Sequence, residues 1–236
     1  MTDFGQILRH ALTQPEGRTL LTGGVVAAGL WAAIEGAEAM LFGGAPRLDR
    51  ALLRAVRGAG DAPVGPRWLE PLARDYTALG SVGVLALLVL GTAGYLWLRR
   101  RGPVAAFLLG TVGGGLVLNT LLKVGVDRPR PAPGLRESTV FSPSFPSGHA
   151  ALAAVTYLTL GALLASTHSR RGPKRYLLGG ALLIPGTVGV TRVYLGVHWP
   201  TDVCAGWALG AAWALCCWVG AAGLRDAPDG QERPPA

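Results

Sequence analysis

"SFPSGHAALAAVTYLTLGALLAST" runs from Ser144 to Thr167. From His149 onward it contains no Asp, Glu, Lys or Arg. That run is close to the roughly 20 apolar residues a helix needs to cross the hydrocarbon core of a bilayer. It therefore reads as a membrane span. At its mouth stand Pro146, Ser147, Gly148 and His149. A titratable imidazole at the start of a buried helix calls for a reason, because the alanines that follow would serve the helix better.

Five further runs of the same kind lie on either side. The six candidate spans are Thr19–Met40, Ala78–Leu98, Pro103–Leu122, His149–Thr167, Arg175–Thr191 and Asp202–Leu224. The expected fold class is an all-α integral membrane protein with six transmembrane helices. Glu35 and Glu38 close the first run and belong at the interface, since a charge at the bilayer centre costs about 2.5–3.5 kcal/mol. Pro185 and Gly186 in the fifth suggest a kink that neighbouring helices tolerate. Gly113, Gly114 and Gly115 in the third read as surfaces for close helix packing. The expected organisation is an N-terminal segment 1–18, a six-span domain 19–224 and a disordered tail 225–236. The first run follows Arg9 and Arg18 without a clean cleavage site and is read as a retained span.

Composition agrees. Half of the 236 residues are hydrophobic and 15% are charged, against about 25% in soluble domains. The net charge of +8 is spread in short clusters between spans, which excludes a nucleic-acid surface. Cys204, Cys216 and Cys217 all fall in the last run, so no disulfide framework is expected. Arg99, Arg100 and Arg101 join spans two and three; Arg170, Arg171, Lys174 and Arg175 join spans four and five. The positive-inside rule puts both loops, and with six spans both termini, in the cytoplasm. The opposite face receives 41–77, 123–148 and 192–201. Within the first of these, "RLDRALLRAVRGAG" (Arg47–Gly60) has apolar residues at helical spacing and is expected as a surface helix.

Three segments on that outer face hold candidate chemistry. "KVGVDRPRP" carries Lys123, Arg128 and Arg130. Alone it fits either lipid head groups or a phosphate site. Ser147 is placed as the N-cap of span four, and a helix N-terminus with Gly148 in its first turn suits an anion. "TRVYLGVHWPTD" puts Asp202 four residues after His198, with Arg192 upstream. Asp202 could answer the helix dipole or fix an imidazole tautomer. Together the three supply two histidines, Asp202 and several cations at helix ends, the set that phosphoryl transfer uses. No cluster has metal-ligand spacing, so neither metal nor cofactor is expected.

In these motifs the chain resembles the type 2 phosphatidic acid phosphatase (PAP2) superfamily. The family's lysine, six residues and Arg-Pro correspond to Lys123, Arg130 and Pro131. Its Pro-Ser-Gly-His is Pro146 to His149. Its Ser-Arg, five residues, His, three residues, Asp is matched at Arg192, His198 and Asp202, with Thr191 in place of the serine. The resemblance implies that His198 is the nucleophile, Asp202 orients it and His149 is the general acid. It implies that Lys123, Arg130, Arg192, Ser147 and Gly148 hold the phosphate, without a metal. "ARDYTALGS" resembles the family's approach to span two and adds Arg74, Asp75 and Thr77 as head-group contacts. The expectation is a metal-independent bacterial membrane lipid phosphatase working at the outer face of the plasma membrane. Its leading substrate is isoprenyl or undecaprenyl diphosphate. The alternatives are phosphatidylglycerophosphate or phosphatidate hydrolysis, phosphotransfer to another acceptor, and a non-catalytic phospholipid binder or transporter. The sequence sets no oligomeric state.

Overall fold

The structure is a computed structural model that describes residues 47–57, 63–125, 128–131 and 143–226. These residues form seven α-helices and no strand: α1 (Arg47–Arg57), α2 (Leu69–Ala78), α3 (Val82–Leu98), α4 (Gly102–Gly125), α5 (Gly148–Ser166), α6 (Arg171–Tyr194) and α7 (Pro200–Asp226). Stretches of α4, α5, α6 and α7 are long and apolar enough to cross a membrane. The pair α2 and α3, bent by 44°, supplies a fifth candidate if it is taken as one span. The expected first span, Thr19–Met40, lies outside the described residues, as do the N-terminal segment and the tail beyond Asp226.

Helix α5 is the centre of the bundle. Ala150 to Thr156 are buried without interruption, and α5 packs mainly on α6 and α7. A centre built from alanine brings neighbouring backbones close, and glycines on the facing helices complete the approach. A Cβ at Gly206 of α7 would stand 2.7 Å from the Ser147 carbonyl oxygen. Gly210 meets the Ala151 carbonyl, and Gly161 of α5 meets Ala181 of α6. Of the three consecutive glycines, Gly114 and Gly115 face Trp213, and Gly113 meets nothing within 4 Å among the described residues. Leu87, Leu90, Trp97, Leu98, Val124 and Leu183 are exposed on the periphery. On helices of spanning length such a surface suits lipid rather than water.

Two boundaries differ from expectation. The helix of span two begins at Val82, not Ala78. Ser81 caps it, accepting from the Val84 N–H at 3.4 Å, and α2 approaches at an angle across the break. Gly80 in that break packs on Val188 and on His149. Helix α6 runs through Pro185 and is longer than the expected fifth span. The indole Nε1 of Trp207 donates to the Pro185 carbonyl at 2.8 Å.

The surface helix forms as α1, but it is docked. Asp49, Leu53 and Arg57 are buried on one face, while Leu48 and Leu52 are exposed. Arg57 donates to the Tyr194 carbonyl at 3.1 Å, a cation at the C-terminal end of α6 where the helix dipole favours one.

Candidate active site

The helix order brings four ends together: the C-terminal ends of α4 and α6 and the N-terminal ends of α5 and α7. Lys123, His149, Arg192 and Asp202 each lie within about a turn of one of these ends. Helix N-termini attract negative charge, and the cations at the two C-termini add to that field.

His198 sits in the link between α6 and α7 and is 2% exposed. Its Nδ1 is 3.6 Å from Oδ2 of Asp202, and its Nε2 is 3.2 Å from Nη1 of Arg130. The carboxylate thus faces one ring nitrogen and a cation stands at the other. Burial lowers the His198 pKa to about 4; Asp202 opposes the shift, and the charges of Arg130 and Arg192 add to it. The ring is neutral at ordinary pH.

Asp202 is fully buried and fully engaged. Oδ2 accepts from the Ser144 hydroxyl and from the Trp199 N–H at 3.0 Å. Oδ1 accepts from Arg128 at 2.7 Å. Ser144 also stands 3.5 Å from Nδ1 of His198, so it bridges the pair. Neither role was visible in the sequence: Ser144 was one more polar residue before a span, and Arg128 one more cation beside Arg130.

Two of the cations are held by backbone carbonyls. Lys123 Nζ donates to Pro143 at 2.9 Å, and Arg130 Nη1 to Val197 at 2.8 Å. Arg192 reaches Thr77 Oγ1 at 3.5 Å, and its buried Nε has no hydrogen-bond partner among the described residues. His149 lies within electrostatic reach of Arg192, His198, Arg130 and Lys123. A Cβ at Gly148 would stand 3.3 Å from Asn119 Nδ2 and 3.7 Å from Lys123 Cε. The missing side chain lets α4 close on the start of α5.

Ser147 departs from expectation. It occupies the N-cap position with extended backbone, but its side chain makes no capping bond. Its N–H donates to the Asp202 carbonyl at 3.0 Å, tying α5 to α7. Its hydroxyl is buried without a partner among the described residues, which leaves that oxygen free to meet a ligand. Arg74 pairs with Glu70 at 2.7 Å on the surface of α2, Asp75 is exposed, and Thr77 meets the cluster through Arg192. Thr191 turns its hydroxyl onto the Val188 carbonyl at 2.7 Å, a local bond within α6. Among the described residues no three His, Cys, Asp or Glu side chains gather as a metal site would require.

A buried imidazole flanked by a carboxylate and several cations, with a second imidazole nearby, is a set of groups suited to phosphoryl transfer. Residues 104–225 match the PAP2 superfamily, and the chain belongs to it. Phosphatidylglycerophosphatase B of Bacillus subtilis is 36% identical over 149 residues, which cover 61% of this chain and 70% of that protein. Undecaprenyl-diphosphatase of Sulfolobus acidocaldarius is 45% identical over 69 residues, 29% of each chain. Among solved structures, a transmembrane PAP2-type phosphatidylglycerolphosphate phosphatase from Bacillus subtilis superposes with a TM-score of 0.67 at 25% identity, over 93% of this chain and all of that one. The homologues are phosphatases, and this chain is an integral membrane member of the same lipid phosphatase family.

Proposed function

We propose that the protein hydrolyses a lipid phosphate monoester or diphosphate through a phosphohistidine, at the outer face of a bacterial plasma membrane. The observation that carries this is the placement of the His198 ring, with Asp202 at 3.6 Å from one nitrogen and Arg130 at 3.2 Å from the other. Nε2 attacks the terminal phosphorus while its bond to the departing oxygen breaks, the oxygen of the lipid alcohol in a monoester or of the lipid phosphate in a diphosphate. His149 gives its proton to that departing oxygen. Lys123, Arg130 and Arg192 take up the charge on the phosphoryl oxygens, with the Ser147 hydroxyl and the Gly148 N–H at the helix N-terminus. Water then attacks phosphorus, His149 removes its proton, and the bond from phosphorus to nitrogen breaks to free inorganic phosphate and restore His198. No step calls on a metal.

Six spans with both termini cytoplasmic follow from the two basic loops, which put the cluster on the opposite face. The exposed leucines of α1 and its arginines suit the lipid–water boundary. The leading substrate is an isoprenyl diphosphate. Phosphatidylglycerophosphate is the second reading, favoured by the longer likeness to the Bacillus subtilis phosphatase.

The test is a substrate panel on purified protein in detergent with excess EDTA. Release of phosphate from one lipid class is expected, and the faster class names the substrate. Tight binding of every lipid phosphate without turnover would replace the enzyme by a binder. Activity that EDTA abolishes would overturn the metal-free route.

A further inference from the structure

Asp49 lies on α1, in a loop helix that the proposed chemistry does not use. Its side chain is fully buried, and a buried carboxylate persists only when paired and hydrogen-bonded. Its partners come from two other segments. Oδ1 accepts from the Thr201 N–H at 2.9 Å. Oδ2 accepts from the Thr201 hydroxyl at 2.6 Å and from Nη2 of Arg128 at 2.7 Å. The second guanidinium nitrogen, Nη1, donates to Thr201 Oγ1 at 2.8 Å and to Asp202 Oδ1 at 2.7 Å. One arginine fork therefore spans two buried carboxylates, one from the loop helix and one beside the reacting histidine. The bidentate fork fixes direction as well as distance.

Asp49 also does what a capping side chain does. Trp199, the residue before α7, offers no side-chain acceptor, and the first turn of that helix includes Thr201 and Asp202. Asp49 supplies the acceptor from across the fold. The end of α7 that carries Asp202 is thus anchored twice, by its backbone and through Arg128.

We infer that Asp49 is a positioning residue: by holding Arg128 and the first turn of α7, it fixes the Asp202 carboxylate against Nδ1 of His198. The inference rests on the reading of His198 as nucleophile. Lys123 and Arg130 are held by the carbonyls of Pro143 and Val197, so losing Asp49 leaves phosphate binding in place and slows the chemical step.

The experiment compares Asp49→Asn, Arg128→Gln, the double variant and Arg50→Gln, an exposed position on the same helix. Each is purified in detergent and assayed for kcat, KM, acid-labile phosphoenzyme and Tm. Removing groups that orient the ligands of a metal site commonly costs about 10- to 100-fold in activity, and orientation of the Asp202 carboxylate is taken to be of like size. The D49N protein is expected to lose kcat in that range with KM nearly unchanged, the signature of a lost transition-state interaction. The double variant should be no slower than R128Q, and R50Q should match the parent. Asp49→Ala, which removes both acceptors, reads the same split if the D49N protein is not recovered folded. A parent-like kcat in D49N overturns the inference. So does a D49N loss that multiplies fully with that of R128Q, since Asp49 then acts independently of Arg128. If the parent enzyme turns over lipid phosphate but forms no phosphoenzyme, the nucleophile reading fails first and takes this inference with it.

Discussion

Asp202 presents Oδ2 to Nδ1 of His198 at 3.6 Å, while Ser144 and the Trp199 N–H occupy the same oxygen. The carboxylate is held in place by groups other than the histidine it faces. Asp202→Asn keeps the volume but presents a neutral amide, and the ring loses both its orienting charge and its preferred tautomer. In a comparable histidine–aspartate pair that change costs about 10⁴-fold in kcat. A loss on the order of 10³-fold or more is expected here, with lipid binding retained. Rapid quenching of single turnovers should show acid-labile phosphoenzyme forming correspondingly slowly. Parent-like phosphorylation would remove Asp202 from the mechanism.

His149, assigned as the proton donor, makes a prediction about leaving groups. General acid catalysis contributes about 10²- to 10⁴-fold where the departing oxygen is strongly basic. A lipid alkoxide needs the proton; a nitrophenolate does not. His149→Ala is expected to cripple hydrolysis of a lipid monophosphate and to phosphorylate His198 from p-nitrophenyl phosphate at a rate far closer to the parent. Equal losses on both substrates would assign His149 to phosphate binding instead.

The sequence showed the spans that survive as α4 to α7 because a charge-free run of bilayer length has few other uses. It also showed His198 and Asp202, since a spacing of four around a helix start brings two side chains together locally. What it hid was long-range. Asp49 meets Thr201 across 152 positions, and nothing in "RLDRALLRAVR" separates an aspartate that caps a distant helix from one that answers the dipole of its own. Arg128 and Arg130 alternate with prolines in one short segment, yet one reaches Asp202 and Asp49 and the other His198. Spacing cannot divide those roles. Ser147 shows the same limit: it stands at the N-cap position as expected, but contact with Asp202 fixes its backbone and its side chain makes no capping bond.

Burial and two arginines hold the His198 pKa near 4, well below the ordinary imidazole value of about 6.5. Between those values the unfolded chain binds a proton at this position and the folded chain does not. Stability from this source is complete above about pH 6.5 and is lost as the pH falls toward 4. With four histidines in the chain, histidine-selective NMR in micelles can follow each ring, and His198→Ala assigns the signal. The His198 resonance should stay neutral through pH 5 and shift only near 4. Titration at about 6.5 would mean the ring is solvated and its contacts with Arg130 and Asp202 are not maintained.

Gly206 links helix packing to the chemistry. A Cβ there would stand 2.7 Å from the Ser147 carbonyl oxygen, 3.0 Å from Ala150 Cβ and 3.1 Å from the Ala151 nitrogen. All three belong to the start of α5, where rigid backbone cannot yield as a side-chain tip can. Overpacking of this kind costs about 1–3 kcal/mol. The strain falls on the turn that carries Ser147, Gly148 and His149, and it strains the bond from the Ser147 N–H to the Asp202 carbonyl. Gly206→Ala is therefore expected to lower Tm and to reduce kcat more than the fall in folded fraction explains. Gly94→Ala, where nothing among the described residues lies within 4 Å of the added carbon, is the matched control and should leave both unchanged. Thermal unfolding in detergent alongside phosphate release checks the pair. If Gly206→Ala lowers Tm but keeps full activity per folded molecule, the start of α5 is not held in register with the nucleophile by this contact.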